Sequence, residues 1–528
     1  ASLAPSEMCI RDRDKNTSYM NNKHVDNVNN VDKNDEISRI HMNNDDERNY
    51  DNSSYPQKVN KVATYMVHHL GMSLMALDNI LCNDILINRF HDLPEIKSTE
   101  LLLKEKIPQN VVFERNEDFS VKNRYFEGEV LIPRVFEKVN QDSPQVLLLS
   151  NGEYSSMLTV NGNGYSKKND TMLYRWKGNS TSDDSGMFFY IKNLNSNEYW
   201  SSTFEPCKDL GDKYSVEFNL DKAKFSRKDG NIETSMEVSI SSEENFEVRK
   251  LTLNNKGDNG RSIEITSYME VTLATFSADV VHPTFSNLFV QTEYDEKESV
   301  LIGSRRGRVK NAKVPYIFHK AVVNGDLEGS ISYETSRINF IGRNRELKNP
   351  KAMDNDKALD NTVGTVLDPI MSIRTRIRLE PNSKKEIYYI TGICESKEQI
   401  LEICRNNNDN SKLERVFKNY SISAQLELKT LGIRSAIANI FQSSASSIFF
   451  LTNTRKNREE YIRNISRHQK DLWAYGISGD LPIIMLAIEN EEDINLVYTM
   501  VKFHNYLRIK GVKLDLIIYN NCLLYTSL

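Results

Sequence analysis

The spacing of apolar residues changes twice along this chain, and these changes constrain its fold more than any other feature. Between about 121 and 395 the period is two, as in residues 263–273. There Ile263, Ile265, Met269, Val271 and Leu273 alternate with Glu264, Thr266, Glu270 and Thr272. Such alternation predicts strands with one face in a core and the other face near water.

Turn signals such as NGNG, KDGN and NKGDNG separate many segments of this kind. They predict a large antiparallel β-sandwich over residues 121–395. Since its strands would supply their own core, we expect this region to fold alone as one cooperative unit. Arg374, Arg376 and Arg378 alternate with apolar residues. They could bind phosphate or a partner, but a solvated strand face beside acidic neighbours is the favoured interpretation.

Helical periods flank the predicted sandwich. Residues 62–81 have apolar positions at three- and four-residue spacing, which predicts an amphipathic helix. Residues 58–120 are interpreted as the end of a helical domain plus a linker, and residues 396–470 as a second helical linker. The later stripe Leu496, Met500, Phe503 and Leu507 is expected to lack a full set of covering helices. VKLDLIIYN, after Gly511, is predicted to be extended.

The two ends differ from the rest in character. Residues 14–57 hold 11 Asn and 7 Asp in 44 positions, with few apolar residues to offset ordering entropy, so we expect disorder there. PSEMCIRDR and CLLYTSL resemble translated sequencing-adapter sequence. Residues 1–13 and 522–528 are therefore expected to be artefacts without fold information, on a fragment of a longer protein.

Composition excludes several functional classes. A formal net charge of −5 gives no reason to expect nucleic acid or anionic lipid as a partner. The six cysteines have no zinc-ligand spacing, so neither a metal nor a cofactor is expected. No run of 18 apolar residues and no signal-peptide pattern occur, which favours a cytoplasmic location.

The stretch LWAYGISGDLPI, residues 472–483, has glycines at a spacing that fits neither a phosphate loop nor a dinucleotide loop. Asp480 could act as an acid, although a helix-cap or turn residue is the favoured interpretation, with capping preferred. Trp473 and Tyr475 could stack on a sugar or pack at a domain junction, and the sequence does not decide between these roles.

Four stretches carry a resemblance to a known family: residues 148–176, DDSGMFFYIKN, WSSTFEP and LWAYGISGDLPI. Together they resemble the phosphorylase-like region of cyclic β-1,2-glucan synthases, which is similar to the phosphorylases of glycoside hydrolase family 94. The resemblance runs over residues 58–521. YMVHHLGMSLMAL further resembles the end of the glucoamylase-like domain of the synthases, but Leu70 stands where that family usually has Gln.

The resemblance implies a galactose-mutarotase-like supersandwich, a helical linker and, from 471 to 521, the start of an (α/α)6 barrel. It implies inverting phosphorolysis with inorganic phosphate as co-substrate. The general acid is then expected beyond residue 521, so no catalytic residue is assigned, and Trp473, Tyr475 and Asp480 are the candidate substrate-binding residues. The truncated chain alone is expected to be inactive.

The expected function is therefore that of a carbohydrate-active enzyme fragment acting on β-1,2-glucan. Its expected partners are a β-glucan or glucooligosaccharide, the remaining domains of the parent protein, and a second copy of the chain. The parent synthase could be membrane-anchored through a part outside this chain. Two alternatives stay open: a non-catalytic carbohydrate-binding or scaffolding sandwich, and a free-standing β-1,2-oligoglucan or cellobiose-type phosphorylase.

Overall fold

The computed structural model describes residues 67–93, 96, 131–139, 144–178, 185–307, 314–450 and 458–521. The expectations for residues 1–13, 14–57 and 522–528 lie outside these ranges. The chain divides into two compact units, residues 1–84 and residues 85–528.

The described residues contain twenty strands. They are β1 Arg134–Phe136, β2 Val146–Ser150, β3 Tyr154–Thr159, β4 Gly164–Lys168, β5 Thr171–Tyr174, β6 Met187–Asn193, β7 Glu198–Ser201, β8 Lys213–Phe218, β9 Ala223–Asp229, β10 Ile232–Ile240, β11 Phe246–Asn255, β12 Arg261–Thr275, β13 Val290–Asp295, β14 Val300–Arg305, β15 Tyr316–Val323, β16 Ser332–Ser336, β17 Pro369–Leu379, β18 Lys384–Cys394, β19 Ile483–Ile488 and β20 Asp515–Asn520.

Ten α-helices occur in the same ranges. They are α1 Val67–Leu81, α2 Ile85–His91, α3 Phe276–Val281, α4 Pro283–Asn287, α5 Arg337–Ile341, α6 Lys397–Asn406, α7 Asn410–Leu431, α8 Ser435–Phe449, α9 Glu459–Arg463 and α10 Ile494–Ile509. Short 3-10 turns span Lys351–Met353, Gln469–Tyr475 and Glu491–Asp493.

Helix α1 belongs to the first unit. It confirms the predicted helix over Val67–Leu81, and residues 62–66 lie outside the described ranges. None of its residues is buried, although the segment is apolar. Within the described residues no single helix is long and apolar enough to span a membrane, and α1 with α2 meets that test only as a broken pair.

The predicted antiparallel β-sandwich is confirmed in the second unit. One nine-stranded sheet has the order β1-β8-β9-β10-β11-β18-β15-β14-β13. The other runs β16-β17-β12-β5-β4-β3-β2, with β6 and β7 branching from β12. The apolar face of β12 lies in the core between the sheets, since Ile263, Ile265 and Met269 are fully buried there.

The other face of β12 was expected near water, and that expectation is wrong. Glu264 is fully buried, and its carboxylate accepts from Nε of Arg376 at 2.8 Å. Arg374 Nε lies 3.1 Å from the same carboxylate as an ion pair and donates to Thr266 Oγ1 at 3.0 Å. Arg374 also donates to the carbonyl oxygens of Ala352 and Lys357, so the segment around residues 351–357 covers this face. Of the three arginines, Arg374 is therefore a buried structural group, and the solvated-face interpretation fails for it.

Helices cover the outer faces of both sheets. Helices α6 and α7 pack on the β11–β18–β15 face, and α8 and α10 pack on the β2–β5 face. Helix α5 and residues 347–359 cover the face of β6, β12 and β17. The strands of residues 121–395 thus depend on later residues for two of their faces, so the structure does not support the expectation that they fold alone.

The free edge of β2 is paired by helix side chains. Leu148 donates its N–H to Oε1 of Gln442 at 2.8 Å, and Nε2 of Gln442 donates to the Leu148 carbonyl at 2.9 Å. Val146 N–H donates to Ser446 Oγ at 3.1 Å, and Ser150 N–H donates to the Tyr420 hydroxyl at 2.8 Å. Three alternate N–H groups of an edge strand thereby gain partners without a further strand.

Residues 471–521 were expected to begin an (α/α)6 barrel, but from 483 onward the described residues form a β-α-β unit. Strands β19 and β20 pair in parallel around α10, which confirms the predicted extended segment. The expected uncovered stripe divides into two parts. Leu507 and Phe503 are buried against Phe441 and the β2–β5 face, and Met500 packs partly buried against the same cluster, so the expectation is wrong for these three, whereas Leu496 is 47% exposed.

We predict that Gln442→Leu lowers the free energy of unfolding by about 1–3 kcal/mol, because it leaves the buried N–H and C=O of Leu148 unpaired. Chemical denaturation of the 528-residue chain measures the effect. Ser447→Ala, at an exposed position on the same helix, is the control. Equal stability of the two variants would contradict the proposed role of Gln442.

We also predict that residues 131–395 alone associate or aggregate, whereas residues 131–521 stay monodisperse. The shorter piece exposes the β2–β5 face and the edge of β2 to water. Light scattering after size-exclusion chromatography distinguishes the two results. A stable monomer of the shorter piece would show that the strands need no helices.

Candidate functional site

Three of the stretches that carry the family resemblance meet at one end of the sandwich. The NGNG turn between β3 and β4 contacts the WSSTFEP segment, since Glu205 donates its N–H to the Asn161 carbonyl at 2.9 Å. Gly162 has a φ of +95°, and a Cβ there would lie 2.3 Å from Thr203 Cβ. The turn therefore requires glycine both for its conformation and for this approach.

The third stretch, around Gly186, reaches the same turn. A Cβ on Gly186 would lie 3.3 Å from Cα of Asn163. Ser185 Oγ accepts from the N–H of Lys177 at 3.0 Å, which joins this stretch to the end of β5. Residues far apart in sequence thus form one loop cluster, which we call the motif cluster.

A group of charged side chains lies beside the motif cluster. Arg175 donates through Nε and Nη2 to both oxygens of Asp279, at 2.9 and 2.8 Å, and through Nη1 to Glu270 at 2.8 Å. Glu270 also accepts from Arg337 Nε at 2.8 Å and from the Tyr268 hydroxyl at 2.9 Å. These bonds hold helix α3 and helix α5 against β12.

The electrostatics of Glu270 exclude it as a general acid at neutral pH. Burial alone would raise its pKa, but the neighbouring guanidinium groups of Arg337 and Arg175 outweigh burial and lower the pKa below 4.5. A carboxylate that stays ionised cannot protonate a glycosidic oxygen efficiently. The charged group therefore orders this end of the sandwich, and proton transfer is not its role.

The LWAYGISGDLPI stretch contributes to a second candidate site, which consists of the 3-10 turn Gln469–Tyr475 and the residues that follow it up to Asp480. Gly476 and Gly479 have φ values of +72° and +71°, a region that favours glycine. Trp473 is half-buried, and its Nε1 donates to the Ser478 carbonyl at 3.2 Å. Tyr475 is 79% exposed. We call residues 469–480 the GISG loop.

Asp480 does not cap a helix, so that part of the favoured interpretation is wrong, but it does lie in a bend before the next element. The element that follows it is strand β19. Oδ1 of the Asp480 carboxylate instead accepts from Nε2 of Gln469 at 2.9 Å, and the Asp480 side chain is exposed. The structure thus joins Asp480 and Trp473 through Ser478 and Gln469, while Tyr475 projects into solvent.

Sequence reasoning missed Arg175, Glu270 and Gln469. Glu270 lies in β12 on the face that the alternation predicted to be near water, and Arg175 directly follows β5. Gln469 contacts residues nine and eleven positions later, a spacing that matches no periodic element. In the described part of the chain no three His, Cys, Asp or Glu side chains are placed to bind a metal ion.

Comparison with known proteins agrees with this architecture. The family model of the glycosyl hydrolase 94 supersandwich domain matches residues 130–410, more than half of the chain. The chain therefore belongs to glycosyl hydrolase family 94. It is 32% identical over 474 residues to the cyclic beta-(1,2)-glucan synthase NdvB of Rhizobium meliloti (strain 1021), covering 88% of this chain and 16% of the synthase.

Two phosphorylases are more distant relatives. The N,N'-diacetylchitobiose phosphorylase of Vibrio proteolyticus is 22% identical, over 49% of this chain and 32% of that enzyme. The solabiose phosphorylase of Paenibacillus borealis is 18% identical, over 48% of this chain and 32% of that enzyme. The chain thus spans about one sixth of the synthase and about a third of each phosphorylase.

We predict that Glu270→Gln lowers the free energy of unfolding at pH 7 by about 3 kcal/mol, because it removes the charged partner of Arg337 and leaves Arg175 paired with Asp279 alone. Since the folded pKa of Glu270 is lowered, its contribution is present above pH 4.5 and is lost as pH falls through the folded value. Chemical denaturation at pH 7 and pH 3 should show that the difference in unfolding free energy between wild type and Glu270→Gln is smaller at pH 3.

Glu293→Gln is the matched control, because Glu293 makes an exposed ion pair with Lys397. We expect it to change stability by less than about 1 kcal/mol. If the difference in unfolding free energy between wild type and Glu270→Gln were the same at both pH values, the assignment of an ionised Glu270 carboxylate would be wrong.

Proposed function

We propose that the chain is part of a carbohydrate-active enzyme that acts on β-1,2-glucan. The observation that carries this proposal is the 32% identity to a cyclic beta-(1,2)-glucan synthase over 88% of the chain. Membership of glycosyl hydrolase family 94 supports the same class, because two further relatives are an N,N'-diacetylchitobiose phosphorylase and a solabiose phosphorylase.

On this proposal the reaction is inverting phosphorolysis, with inorganic phosphate as co-substrate. A single protein acid protonates the glycosidic oxygen while phosphate attacks the anomeric carbon from the opposite face. Glu270, the buried carboxylate beside the motif cluster, stays ionised and does not fill that role. We propose that residues 471–521 lead into an (α/α)6 barrel that supplies the acid.

The GISG loop is the proposed contact with glucan in this chain. Tyr475 offers an exposed ring for stacking on a sugar face, and the Asp480 carboxylate offers acceptors for sugar hydroxyls. Trp473 supports the loop through its indole N–H, with its ring half-buried. The three residues predicted from the sequence therefore take different roles.

We predict that the 528-residue chain binds linear β-1,2-glucooligosaccharides and that Tyr475→Ala weakens this binding about tenfold, as expected for loss of one stacking ring. Isothermal titration calorimetry measures both. Tyr461→Ala removes another exposed tyrosine and is the control. Wild-type chain that fails to bind any β-1,2-linked oligosaccharide would overturn the proposal for this site.

We further predict that the same chain releases no glucose 1-phosphate from these oligosaccharides in the presence of phosphate, because a positioned general acid contributes about 10² to 10⁴ in rate. The protein expressed from the complete genomic locus should release it. Turnover by the 528-residue chain that a point substitution abolishes would show that the acid lies within it. Binding without turnover by the complete product would favour the non-catalytic alternative.

A further inference from the structure

The GISG loop is held by one side chain that contacts it at two places. Nε2 of Gln469 donates to the Ser478 carbonyl at 3.0 Å and to Oδ1 of Asp480 at 2.9 Å. A Cβ on Gly479 would lie 3.0 Å from Cγ of Gln469, so the loop backbone packs directly on this side chain. Gln469, at the start of the GISG loop, therefore joins it to Ser478 and Asp480 at its end.

The two hydrogen bonds have different consequences. The Ser478 carbonyl also accepts from Trp473, so the turn retains a donor without Gln469. Within the described residues, the Asp480 carboxylate has no side-chain donor other than Gln469. The first bond therefore duplicates an existing constraint on the backbone, whereas the second alone fixes the direction of an exposed carboxylate.

We infer that Gln469 is a positioning residue that orients the Asp480 carboxylate for hydrogen bonds to the hydroxyl groups of a bound glucan. This inference rests on the proposed glucan contact at the GISG loop. One carboxylate oxygen is occupied by the amide, which leaves the other to accept from sugar hydroxyls. Pre-orientation of an acceptor strengthens binding, because less side-chain entropy is lost when the ligand binds.

The test is a set of substitutions at residue 469, measured by calorimetric titration of the 528-residue chain with a linear β-1,2-glucooligosaccharide. Gln469→Leu removes the donor and should weaken binding about tenfold. Gln469→Glu places a carboxylate, which can only accept, against the Ser478 carbonyl and the Asp480 carboxylate. It should weaken binding further. Gln469→Lys restores a donor of similar reach and should bind within about twofold of wild type.

Two controls separate this inference from a structural effect. Lys470→Leu alters the neighbouring exposed position and should leave binding unchanged. The melting temperature of each variant should match that of wild type. The positioning role would be overturned if affinity fell only in variants whose melting temperature also fell. It would equally be overturned if Gln469→Lys bound the oligosaccharide as weakly as Gln469→Leu.

Asp480→Asn distinguishes the inference from the function on which it depends. If Asp480→Asn and Tyr475→Ala both leave binding unchanged, the loop is not the glucan contact and both statements fail. If they weaken binding but Gln469→Leu does not, the glucan contact stands and the positioning role is wrong. If wild type does not bind, the proposed contact and the inference both fail.

Discussion

The pairing of the β2 edge with helix side chains is the interaction on which the second unit depends. An edge strand normally leaves alternate backbone groups unpaired, and a sheet of this size cannot leave them in an apolar interface. Gln442 resolves this by pairing with both backbone groups of Leu148, and it donates as well to the Tyr506 hydroxyl of α10 at 2.7 Å. One buried amide thus connects the sandwich, α8 and the C-terminal β-α-β unit.

Burial of charge is the second organising feature, and it appears both between the sheets and on the outer face of β12. Between the sheets, Arg249 donates to Glu247 at 3.0 Å and to the Tyr174 hydroxyl at 3.0 Å, with both charges fully buried. On the outer face of β12, Glu264 and Arg374 form a second buried ion pair, with 3.1 Å between the charged atoms. Each ionised group meets an opposite charge and further donors or acceptors, which is the condition under which buried charges are tolerated.

The strands of the sandwich could be predicted from sequence because alternation is a local property, and the change of period predicted the helices that follow them but not strand β19. What covers the strands could not be predicted in this way. The polar side of β12 has the pattern of a solvated face, yet Arg374 and Glu264 form an ion pair there beneath residues 351–357. The GISG loop shows the same limit at the candidate site. Tyr475 and Asp480 are distinctive by type, whereas Gln469 matters through a non-periodic contact.

The long stretch of sequence between β2 and the helix residues that pair with its edge has a consequence for biosynthesis. Ser446 follows Val146 by 300 residues, so the strand leaves the ribosome long before the helix that pairs with it. At about 5–20 residues per second, the interval is roughly 15–60 s. Throughout that time the nascent sandwich presents an apolar face and an unpaired strand edge, which makes it a substrate for chaperones that bind exposed apolar chain.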